Sequence, residues 1–209
     1  GAVSSGVGAG VTVSHSGSGF GDTYVSLAGV QAATEGVSIN HTTTGQVTLK
    51  STGNITSNTT KGVVVAAGSA TTGVALTLTG VTAQNAAIDV NNAGSGNTQV
   101  TATGTVASSL GQGVEVVSGA STTGTTLTFG AVTGHSDGIY ASHLGSGALS
   151  VTASGSVLGS SGYGVMTQNT SLGSDVTVNS TNVQGDLDGI KVINNGTGNT
   201  YTKSTGTVT

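Results

Sequence analysis

The amino-acid sequence predicts an all-β chain wound as a right-handed parallel β-helix, a β-solenoid, of about eight rungs with three short strands in each. Three observations predict it. A small residue followed by a β-branched one recurs at Gly10-Val11, Gly36-Val37, Gly62-Val63, Ala87-Ile88, Gly113-Val114, Gly138-Ile139, Gly164-Val165 and Gly189-Ile190, at spacings of 26, 26, 25, 26, 25, 26 and 25 residues. A period held that closely is the mark of a stacked repeat. Within each period, apolar residues alternate with variable ones, the two-residue rhythm of a strand with one buried face. Finally, the 209 residues include 37 Gly, no Pro and no Cys, with only 3 % aromatic and 6 % charged residues. That composition suits a thin core of short β-branched side chains in layers. An apolar fraction of 34 %, regularly spaced, argues against a disordered linker.

Each rung opens with a strand. Its second position reads Val11, Val37, Val63, Ile88, Val114, Ile139, Val165 and Ile190, a structural column without exception. The fourth position is mostly apolar as well. Between them the third position reads Thr12, Ser38, Val64, Asp89, Glu115, Tyr140, Met166 and Lys191, and is expected to face solvent. Gly at the opening position is expected to permit a tight corner and positive φ. The sixth position, occupied by His15, His41, Asn92, His143, Asn169 and Asn194, is expected to lie at a turn, where amide ladders can satisfy backbone groups.

From the second rung onward a middle strand follows, with inward triplets from Val47/Leu49/Ser51 through Val176/Val178/Ser180 and a weaker Thr200/Thr202/Ser204. A third, closing strand is marked by Ile55, Val81, Val106, Val132, Val157, Val183 and Val208. β-branched residues in alternation favour strands over the helices of other solenoids. A left-handed hexapeptide β-helix would need shorter turns. At roughly 4.8 Å per rung the column should be about 38 Å long. Residues 62–112 and 113–163 form a two-rung super-repeat of 51 residues, and no linker interrupts residues 1–209.

Gly1-Ala2-Val3 reads as the tail of a preceding rung, since Val3 precedes Gly10 as Val106 precedes Gly113. Gly206-Thr207-Val208 has the same phase. The expectation is a mature or excised segment of a longer chain or array, or one that stacks head to tail with identical subunits.

A net charge of −4 with four Lys and no Arg argues against nucleic-acid binding. No run of about 18 apolar residues offers a membrane insertion. Without Cys, repetition has to replace disulfides as the source of stability. No cofactor is expected.

Four patterns could carry chemistry. Asp186 and Asp188, with Asp137 equivalent to Asp188 two rungs away, could offer oxygen ligands to calcium, but Asp before Gly more simply shapes a turn. His15 and His41, 26 residues apart, should sit about 5 Å apart in one column, and are read as a surface turn pair because a third metal ligand is missing. Gly134-His135-Ser136-Asp137-Gly138 matches a nucleophile-elbow string, which works only ahead of a helix. Thr77, Thr101, Thr128 and Thr152 stack on the outer face of the middle strands, but the neighbouring column is not a second Thr array, so ice binding ranks low. The eight acidic residues look thinly spread, against a polysaccharide-cleaving enzyme or tailspike-like depolymerase.

The blocks TGHSDGIYASHLGSGALSVTASGSVLG and VQGDLDGIKVINNGTGNTYTKSTGTVT resemble passenger regions of bacterial autotransporters (type V secretion), the pertactin-like and haemagglutinin-like β-helix adhesins. The likeness lies in D-G-I openings, N-N-G-T-G turns and T-G-T-V strands along the whole chain. The resemblance implies export, display at the bacterial outer-membrane surface, and adhesion or self-association; with the acidic residues spread so thinly, enzymatic activity is not expected. It implies an outer-membrane translocator elsewhere in the native chain, and a cell-surface or matrix receptor as partner. Partner specificity is then expected in the variable outward residues Asp89, Glu115, Tyr140, Met166 and Lys191.

Overall fold

A computed structural model describes residues 1–209. The chain forms 24 strands and no helix. They assemble into three eight-stranded sheets in which every neighbour is one rung away in sequence. The opening-strand sheet runs from Val11–His15 to Ile190–Asn194, the middle-strand sheet from Thr23–Leu27 to Thr200–Ser204, and the closing-strand sheet from Ala2–Ser5 to Val183–Gly185. All pairings are parallel and nearly all are in strict register: Val11 pairs Val37, which pairs Val63. Val3 pairs Val30, placing residues 2–5 in the phase of a closing strand.

Stacking explains why so polar a chain folds. Of 138 backbone–backbone hydrogen bonds, 64 lie outside regular strand pairing, so the ladder continues around the corners. Gly36 N–H donates to Lys61 O and Val37 N–H to Gly62 O at 3.1 and 2.9 Å, one rung apart. Side chains extend the same logic. Asp22, Asp137, Asp175 and Asn182 each accept, through Oδ1, a backbone N–H from the next rung: Gln46, Tyr163, Asn199 and Thr207, at 2.7–3.0 Å. Three of the eight acidic residues thus fasten corners.

The core is one cluster of 37 buried apolar residues, one layer per rung. Val37, Val63, Ile88, Val114, Ile139 and Val165 are fully buried, and Ile190 packs against the cluster. The middle triplets and the closing column point inward as expected, except in the last rung, where Thr200, Thr202 and Val208 are exposed. Phe129 is the one large ring in the core.

Three expectations need correction. The first rung also has a middle and a closing strand, Thr23–Leu27 and Gly29–Ala32, ahead of the triplets and closing column expected from the second rung onward. The opening glycines do not have positive φ. They are glycine because there is no space: a Cβ on Gly36 would stand 2.5 Å from Gly62 O and 2.5 Å from Ile55 Cγ2, and one on Gly62 would stand 2.3 Å from Val81 Cγ1. The sixth position also differs from expectation. It is no surface turn but the last inward position of the opening strand, with His41, Asn92, His143 and Asn169 fully buried. Two-residue alternation puts the second, fourth and sixth positions on one face, so the polar residues there follow the Val/Ile column inside.

Candidate functional site

The best candidate surface is the outward column of the opening-strand sheet. Strand pairing brings Asp89, Glu115, Tyr140, Met166 and Lys191 onto five consecutive strands in register, each beside the next. Neighbouring strands lie about 4.8 Å apart, so this is one continuous row. All five are half-buried rather than fully exposed. The residues behind them are the Val/Ile column, which holds the row rigid.

One end of the row is acidic. Lys61 reaches from the preceding corner to Asp89 in a salt bridge, which raises the lysine above its ordinary value. Burial pushes the Glu115 carboxyl up, and the neighbouring Asp89 charge adds to it. The acidic residues are therefore not all dispersed, as the sequence suggested: 115 − 89 is one rung of 26, and the two carboxylates are strand neighbours. The other end is cationic. Lys191 Nζ donates to the Tyr163 hydroxyl at 3.0 Å and lies 4.8 Å from the centre of that ring, and the hydrogen bond raises the lysine.

The remaining candidates resolve differently. Asp137 Oδ1 accepts the Tyr163 N–H at 2.8 Å, which fastens its corner to the next rung, and no group of three or more His, Asp or Glu side chains could hold a metal ion. Ser136 sits at a corner with no helix after it, and its N–H donates to Gly111 O at 3.2 Å. Thr77, Thr101, Thr128 and Thr152 do stack in register on the outer face of the middle-strand sheet.

Inside the solenoid lies a feature sequence reading placed on the surface. The His15 and His41 rings stand 5.1 Å apart, edge to face, and share the Thr23 hydroxyl, at 3.1 and 2.8 Å from their Nδ1 atoms. Further along, Asn92 Nδ2 donates to Thr98 Oγ1, Ser118 Oγ donates to the same oxygen, and Thr125 Oγ1 donates to Ser118 Oγ and lies 3.0 Å from His143 Nδ1. Burial lowers both His41 and His143 below the ordinary value of 6.5, with the His15 charge adding to the effect at His41. His143 Nε2 and Asn169 Oδ1 are buried without a partner. The signal was available: these residues continue the alternation set by Val11 and Val13. Their polarity concealed it.

Compared with protein-family models, curated proteins and solved structures, the chain matches none.

Proposed function

We propose that the chain is a non-enzymatic structural protein of the bacterial cell surface or its surroundings, a rigid β-solenoid stalk or adhesive passenger. It attaches to a cell-surface or matrix receptor through the outward row from Asp89 to Lys191. The observation that carries this reading is the contrast across one strand. The inner Val/Ile column is constant and buried, while the outer residue changes at each rung from acid to aromatic to thioether to cation. A scaffold that repeats its interior and varies one exposed row presents a rigid, chemically graded strip, and rigidity lowers the ordering cost of binding. Beads coated with the chain should adhere to a receptor-bearing surface. Glu115→Ser with Tyr140→Ser should reduce adhesion at least tenfold while leaving the circular dichroism spectrum unchanged. Undiminished adhesion by that folded variant would overturn the assignment of the row.

The adjacency of Asp89 and Glu115 favours a second reading, a polysaccharide-acting enzyme, since glycosidic cleavage uses two nearby carboxyl groups. Against it, the Asp89 carboxylate is already engaged by Lys61. Release of reducing ends from a polysaccharide panel, abolished by Glu115→Gln, would establish this reading in place of the first.

A further inference from the structure

We infer that the same outward row is a two-fold self-recognition surface, on which two copies of this chain dock face to face with their rungs running in opposite directions. The inference takes the row as a recognition surface, as above, and names its partner as a second copy. The order of the row carries it. Along five consecutive strands it reads acid, acid, aromatic, thioether, cation: Asp89, Glu115, Tyr140, Met166, Lys191.

A two-fold axis parallel to the strands and passing through Tyr140 lays this row on itself in reverse. Asp89 of one copy then faces Lys191 of the other, and Lys191 faces Asp89. Glu115 lies against Met166, within one strand of the opposing Lys191. Tyr140 meets Tyr140. Each contact away from the axis occurs twice, as an isologous interface requires. The alternative axis, along the stack, would place Asp89 on Asp89, Glu115 on Glu115 and Lys191 on Lys191, and like charges opposed in this way are unfavourable. The charge order selects the reversed arrangement.

The surrounding residues suit this docking. Tyr163 fixes Lys191 from below by a 3.0 Å hydrogen bond, so little side-chain freedom remains to lose. Glu115, with Asp89 beside it, gains a second cation in addition to Lys61. Asp137, at the corner of the rung that contains Tyr140, has its carboxylate turned onto the Tyr163 N–H at 2.8 Å.

Size sets the strength. Five strands at about 4.8 Å spacing and five residues at about 3.3 Å each give a face of roughly 400 Å² per copy. A stable interface buries about 800 Å² per partner. Docking is therefore weak, dependent on concentration and sensitive to salt, the behaviour of chains that associate when displayed densely.

Sedimentation velocity over a range of protein concentrations tests this. The chain should pass from monomer to dimer as concentration rises, and 1 M salt should weaken the dimer at least tenfold. Lys191→Glu alone and Asp89→Lys alone should each stay monomeric, whereas an equimolar mixture should form a heterodimer, because both 89–191 pairs are then of opposite charge. The chain has no Cys, so introduced thiols report geometry cleanly. Under mild oxidation Tyr140→Cys should cross-link to itself and Met166→Cys should not. A wild-type chain that remains monomeric at all concentrations, a mixture that fails to pair, or equal cross-linking at both positions would overturn the inference. A monomeric wild type that still coats beads and adheres would overturn self-docking alone and leave the receptor reading standing.

Discussion

On the inner face of the opening strands, the second and sixth residues of each rung are comparably buried and, in every rung but that of Ala67, differ in chemistry. The second position is Val or Ile in all eight rungs; the sixth reads His15, His41, Ala67, Asn92, Ser118, His143, Asn169 and Asn194. Val37 and His41 sit in one strand and both are fully buried. The second position belongs to the same buried apolar cluster as the closing-strand valines. The sixth lies at the corner facing the first residue of the middle strand, and in several rungs that residue is Thr: Thr23, Thr98, Thr125 and Thr200 supply hydroxyls to it. Burial in a solenoid is therefore set by alternation. Polarity is set by what the stacked neighbours can donate or accept.

The largest effect should come from breaking the apolar column. Ile139→Asn removes a fully buried side chain, a loss of about 2–5 kcal/mol for large-to-small core changes. It also leaves a buried amide unpaired, for about 1–3 kcal/mol more. Urea unfolding followed by circular dichroism should show a loss of roughly 4 kcal/mol or more in the rungs around residue 139. His143→Asn, four residues further along the same strand, should cost no more than about 1 kcal/mol, because Asn already occupies the equivalent place at Asn92 and Asn169. Equal losses for the two variants would remove the distinction between the columns.

That contrast also shows what the sequence made legible. The period, the Val/Ile column and the middle triplets could be aligned by eye because one residue class repeats in each. The Asp89–Glu115 pairing was equally available, since rungs of known length put them on adjacent strands, but a tally of acidic residues hides neighbours 26 positions apart. The inward sixth position followed from alternation and was obscured by His and Asn, which suggest turns. The reason for the opening glycines was not local at all. It depends on Ile55 and Val81 methyl groups about 20 residues further along and on a carbonyl in the next rung.

A pH titration should separate the columns next. His41 and His143 are held below their ordinary 6.5, while the unfolded chain protonates near that value. Between the lowered value and 6.5 the unfolded state binds more protons, so stability falls as pH drops through 6.5 and is independent of these groups well above it. The interior around them is built of hydroxyls and carbonyls: His41 faces Thr23, Thr43 and His15, and His143 faces Thr122 and Thr125, with Asp22 a distant charge at His41. The urea midpoint should therefore decrease from pH 7.5 to pH 5.5, and His41→Asn with His143→Asn should remove most of that decrease. A wild-type midpoint unchanged over this interval would mean that the imidazoles protonate without cost.

The smallest effect asks whether the polar column acts as a chain or as separate pairs. Ser118→Ala removes the link between Thr98 and Thr125, yet Thr98 still accepts from Asn92 at 3.0 Å and Thr125 still lies 3.0 Å from His143 Nδ1. The cost should be about 1 kcal/mol. The equivalent position two rungs earlier is Ala67, where the polar run is interrupted between His41 and Asn92. Coupling should stop at that interruption. Ser118→Ala combined with His143→Asn should deviate from additivity by about 0.5 kcal/mol or more, since both touch Thr125. Ser118→Ala combined with His41→Asn, on the far side of Ala67, should be additive to within about 0.3 kcal/mol. Additivity in both pairs would make each rung independent in its polar contacts, and the solenoid would then derive its cooperativity from the backbone ladder and the Val/Ile column alone.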